Sequence, residues 1–133
     1  MIPQGVKKWV LKAMEDFRIA KQGLSFPEPE IATGPICFHS QQVAEKLLKA
    51  YLVSRNIDFA KTHDLAYLRE LCAQQDPEFK KIDLGNLKFY AVEVRYADEF
   101  YLPSIDEAKE AFELANKVKA FVFKKLGIKE QDL

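Results

Sequence analysis

Few side chains in this 133-residue chain combine a reactive type with a suggestive place. His39 and His63 are its two histidines, and a neutral imidazole can accept a proton near physiological pH. Arg95 stands in the stretch VEVRYADEF, where a planar guanidinium can clamp a phosphate through two parallel hydrogen bonds. Glu93, Asp98 and Glu99 surround it and offer the competing reading, a surface salt bridge; both readings stand. Tyr96 can stack on a base, although a core position is its more ordinary use. Asp98 can join the same site, with local capping or pairing as the plainer role. Cys37 and Cys72 are the two cysteines. Neither has a second cysteine or a histidine at zinc-knuckle spacing, so both read as buried free thiols. Gly5, Gly23, Gly34, Gly85 and Gly127 are isolated; no phosphate-cradling glycine loop exists, no metal cluster is evident, and no cofactor is expected.

Twenty basic residues balance twenty acidic ones. The whole molecule is therefore no polyanion binder, and contact with nucleic acid needs a local basic patch. With 48% apolar residues, one compact domain over residues 1–133 is expected, without disorder. The start, MIPQGVKKWV, carries no apolar signal core, and no apolar run approaches the ~20 residues of a membrane span. A cytoplasmic location without membrane contact follows as the expectation.

Five helical segments must position these side chains. In the first, Val6, Trp9, Ala13, Phe17, Ala20 and Leu24 recur at helical steps. SFPEPEIATGP then forms a surface connection. The second helix runs from about Ile36 to Arg55, with Ile36, Val43, Ala44, Leu47, Leu48 and Tyr51 on one arc. Ser40 lies in the middle of that arc, where it permits close helix approach. His39 falls at the edge of the arc, in a polar stripe with Gln42 and Lys46, where a satisfied structural role is the ordinary reading. Glu45 and Lys49 form an i, i+4 pair of about 0.3–0.5 kcal/mol. Phe38 points away from the arc, with Leu52 on the same flank. Together they suggest an exposed patch that a two-fold contact between copies would cover.

A short third helix begins near Thr62, a candidate N-cap, and ends at Asp76 and Pro77. His63 then falls in its first turn, where the positive end of the helix dipole favours a neutral imidazole. In the fourth segment Leu87, Tyr90 and Val94 have helical spacing, while VEVRY alternates like a strand. A lone strand has no backbone partner, so a helix to about Tyr96 is expected. The last helix opens on a capping box, Ser104 with Glu107, and ends at Gly127. The fold class is all-α, an up-and-down bundle of four to five helices.

CFHSQQVAEKLLKAYL in the second helix resembles the signature helix of HEPN domains. KTHDLAYL is similar to the opening of that family's third helix, and VRYADEF to a segment near the end of its fourth. Trp9, Ala13 and Asp16 in the first helix agree as well. The resemblance implies a helical bundle that usually dimerises, often encoded beside a minimal nucleotidyltransferase protein. Many members are metal-independent endoribonucleases acting as toxins in toxin–antitoxin pairs. In these, an arginine holds the phosphate. A histidine placed after four to six intervening residues removes the ribose 2′-hydroxyl proton for attack on that phosphate.

Arg95 occupies the arginine position, but Phe100, Tyr101 and Leu102 stand where that histidine belongs. None is a base at neutral pH; even tyrosine has a reference pKa of about 10. Three functions follow. One is a dimeric module that binds a nucleotide, RNA or partner through Arg95 without a complete ribonuclease site. Another is a ribonuclease in which His63 or His39 replaces the missing base. The third is a structural partner of a nucleotidyltransferase subunit.

Overall fold

The computed structural model describes residues 2–91 and 101–133. Among them are four α-helices: α1 (Gln4–Gly23), α2 (Thr33–Ser54), α3 (Leu65–Gln75) and α4 (Ile105–Leu126). Short 3₁₀ turns at Pro77–Lys81 and Leu87–Tyr90 lie between α3 and α4. No strand occurs among the described residues, and the all-α bundle is as expected. No helix among them is long and apolar enough to cross a membrane.

The central element is α2, which packs against α1, α3 and α4. α1 and α2 form an antiparallel hairpin. A Cβ on Gly23, at the end of α1, would lie 2.8 Å from Ile36 near the start of α2, so only glycine allows this approach. Phe17 of α1 meets Phe112 of α4 at 5.1 Å between ring centroids. At the other end Tyr51, Phe79 and Phe121 stack in sequence, tying α2, the first 3₁₀ turn and α4 together. The capping box of α4 is formed as expected: Glu107 N–H donates to Ser104 Oγ at 3.0 Å and Ser104 N–H to Glu107 Oε1 at 3.2 Å. Gly127 takes the left-handed conformation (φ 67°) that ends this helix.

Three local expectations need correction. α3 starts two residues later than a cap at Thr62 implies: Asp64 is its N-cap, accepting from Tyr67 N–H at 3.1 Å. His63 therefore precedes the helix and lies outside its first turn. The fourth segment is a 3₁₀ turn at Leu87–Tyr90, and residues 92–100 lie outside the described residues. Leu52 is fully buried, because α2 is enclosed on several sides. It cannot supply an exposed flank, and Phe38 is only half-buried, its ring edge-on to His39.

Candidate functional site

Enclosure of α2 turns its polar stripe inward. Gln41, Gln42, Glu45 and Lys49 are all buried, and buried polar groups must find partners. Two carboxylates supply them. Asp16, on the core side of α1, receives His39 Nδ1 on Oδ1 and Lys46 Nζ on Oδ2, both at 2.6 Å. Glu45 receives Lys49 Nζ on Oε2 at 3.0 Å, Gln41 Nε2 on Oε1 at 3.2 Å, and His63 Nδ1 on Oε1 at 2.8 Å. Gln42 Nε2 extends the second network by donating to Gln41 Oε1.

The Glu45–Lys49 pair is thus no solvated surface pair. Its side chains are 4% and 8% exposed, and removing either partner would strand a buried charge. Lys49 Nζ also lies 5.4 Å from the Trp9 ring centroid and 5.8 Å from that of Phe59, within cation–π range.

Both histidines present the same chemistry. A carboxylate only accepts, so Nδ1 carries the proton, and Nε2 of the neutral ring keeps the lone pair. Exposure separates them: the side chain of His39 is 19% exposed and that of His63 is 64% exposed. The first joins α2 to Asp16 of α1. The second presents an oriented acceptor to solvent. Asp16 is legible as a buried partner, because it falls on the helix face that carries Ala13, Phe17 and Ala20. The link between Glu45 and His63, eighteen positions apart, leaves no local signal.

A third cluster sits at the start of α4. Glu107 accepts from Tyr90 Oη at 3.1 Å and from Tyr101 Oη at 2.5 Å. The tyrosine bonds and the capping amide hold its carboxyl below the usual glutamate range. The bond to Glu107 raises the Tyr101 phenol, and burial raises that of Tyr90. Burial also pushes the thiols of Cys37 and Cys72 up to about 12, and both are free and buried, as expected.

Arg95, Tyr96 and Asp98 lie outside the described residues. Among the described residues, no group of three or more His, Cys, Asp or Glu gathers to hold a metal ion. Comparison with curated proteins and with solved structures gives no significant match. The family model described as HEPN domain matches residues 6–126, which includes the whole of α2 and its two carboxylate networks. The chain belongs to the HEPN domain family.

Proposed function

We propose that the chain is a nucleotide- or RNA-binding HEPN module that pairs with a second copy and lacks a complete ribonuclease site. Family membership supports a nucleotide- or RNA-related role in general. One observation supports the finer reading: His39 is taken up by the bundle, its Nδ1 held by buried Asp16, which Lys46 also binds. The family's base positions after Arg95 hold Phe100, Tyr101 and Leu102, and Tyr101 keeps its proton through its bond to Glu107. Arg95 then holds a phosphate, with Tyr96 and Asp98 beside it in sequence. Of the expected contact between copies, Phe38 remains. Exposed Leu11 and Ile19 on α1, and Tyr101 and Leu102 before α4, are further apolar groups such a contact would cover.

A second reading has its own support. His63 exposes Nε2 in the carboxylate-oriented form that a general base takes, which suits a metal-independent endoribonuclease using Arg95 and His63. One experiment separates the two. The purified protein is incubated with single-stranded RNA in chelator, beside Arg95→Ala and His63→Ala. The module predicts binding that weakens about tenfold or more in Arg95→Ala, without cleavage. Cleavage lost in both variants selects the ribonuclease. Binding unchanged in Arg95→Ala removes Arg95 from the site.

A further inference from the structure

The outer face of α1 carries charge that the bundle does not use. Lys8, Lys12, Arg18 and Lys21 are exposed and Lys7 is half-buried, while Glu15 is the one exposed acid of the helix. Five cations against one acid give +4 in a chain whose net charge is zero. Among the described residues, none of the five pairs with a carboxylate. Glu130, within electrostatic reach of Arg18 and Lys21, is bound by Lys119. The start of α1 holds Lys7 and Lys8 and no acid in its first turn, the reverse of what the helix dipole favours. Unpaired charge of one sign on one face attracts an anion.

What lies between the cations narrows that anion. Leu11 and Ile19 are 40% and 47% exposed, about 12 Å apart along the helix axis. Lys7 and Arg18 flank them on one side, Lys8 and Lys12 on the other. Long basic side chains beside aliphatic ones suit a helix lying in a membrane interface: the aliphatic groups enter the acyl boundary and the cations reach the headgroups. An open depression of about 530 Å³, lined by Gln4, Gly5, Lys7, Lys8 and Leu11, has room for one headgroup. Binding to nucleic-acid bases calls for exposed aromatic rings, whereas the aromatic residues of α1 are half-buried Trp9 and buried Phe17. A second copy meeting α1 through its own α1 would set like charges together. The expectation of no membrane contact rests on the lack of an apolar span, which an adsorbed face does not need.

We infer that the outer face of α1 adsorbs to an anionic lipid bilayer, Leu11 and Ile19 entering the interface while Lys7, Lys8, Lys12 and Arg18 meet its headgroups. The inference is independent of the Arg95 reading. It takes Leu11 and Ile19 out of the contact between copies, which keeps Phe38, Tyr101 and Leu102.

The purified protein is floated with vesicles of phosphatidylcholine alone, and of phosphatidylcholine with phosphatidylglycerol, over a series of salt concentrations. Wild type should bind the anionic vesicles, leave the neutral ones, and lose its binding as salt rises. The triple variant Lys8→Gln, Lys12→Gln, Arg18→Gln should bind roughly tenfold more weakly or worse, at about fivefold per cation. Lys80→Gln, Lys81→Gln, Lys88→Gln removes equal charge from other exposed positions and should bind as wild type does. Leu11→Ser with Ile19→Ser should weaken binding about tenfold and keep its salt dependence. Glu15→Gln should strengthen it about fivefold. Every substituted position but none of the core is exposed, and circular dichroism checks that each variant folds. Wild type that ignores anionic vesicles overturns the inference. So does an equal loss in the two triple variants, which leaves net charge alone, or a Leu11→Ser, Ile19→Ser protein that binds normally. If vesicles are ignored while the α1 triple variant loses single-stranded RNA, the face is a nucleic-acid patch and the inference falls. If that variant instead changes the light-scattering mass, the face belongs to the contact between copies and the inference falls as well.

Discussion

Replacing Asp16 with alanine removes the carboxylate that joins α1 to α2 through His39 and Lys46. Asp16 is buried, and both of its bonds are 2.6 Å long. Charge-assisted hydrogen bonds contribute about 1.5–3 kcal/mol each, so the gross loss is about 3–6 kcal/mol. The stranded partners are not sealed in: the side chains of Lys46 and His39 are 22% and 19% exposed, and each regains water. A net loss of about 2–4 kcal/mol is expected, less than for a fully buried pair broken on one side. That corresponds to a fall of about 10 °C in melting temperature for a domain of this size. His39→Ala leaves Asp16 paired with Lys46 and should cost about 1–2 kcal/mol. Urea unfolding of the two single variants and the double variant closes a cycle, and the coupling energy should reach about 1 kcal/mol. An Asp16→Ala protein within about 0.5 kcal/mol of wild type refutes the reasoning. So does a His39→Ala protein of unchanged stability that no longer binds RNA, because the imidazole would then serve chemistry instead of the bundle.

Two further outcomes are expected. Burial lifts both thiols from 9.0 to about 12, so above pH 9 the unfolded chain releases protons that the folded chain keeps. Their contribution to stability is complete below about pH 9 and is lost as pH rises toward 12. The urea midpoint should fall more steeply over that range in wild type than in the Cys37→Ala, Cys72→Ala protein; equal slopes would contradict the burial argument. Leu52→Ala, at a fully buried position, should cost about 2–5 kcal/mol, whereas Leu102→Ala, at an exposed one, should stay within about 0.5 kcal/mol in the monomer. A Leu52→Ala protein as stable as wild type but altered in light-scattering mass would return Leu52 to the contact between copies.

What can be read from the sequence depends on how far apart the interacting residues lie. The periodicity of α1 and α4, the Ser104–Glu107 box and the stop at Gly127 act within a turn or two, and each appears as expected. Competition among caps is less legible: Thr62 and Asp64 are both good capping types, and Asp64 takes the Tyr67 amide while Thr62 Oγ1 accepts from the Asp64 amide. The main misreading concerns α2. A one-arc reading assumes a helix with a solvated back, which puts Leu52 in water and makes Glu45–Lys49 a surface pair. Neighbours on several sides bury both, and nothing within the helix itself announces them. The same enclosure creates the candidate site, because polar side chains turned inward must pair across elements, with Asp16 twenty-three positions from His39. His39 and His63 have one chemistry and one kind of carboxylate partner, so no sequence pattern ranks them. Their difference lies in the α2–α3 connection, which carries His63 outside the bundle while Glu45 reaches out from within it. The imidazole available to a ligand is therefore the one whose partner is buried and whose own ring is not.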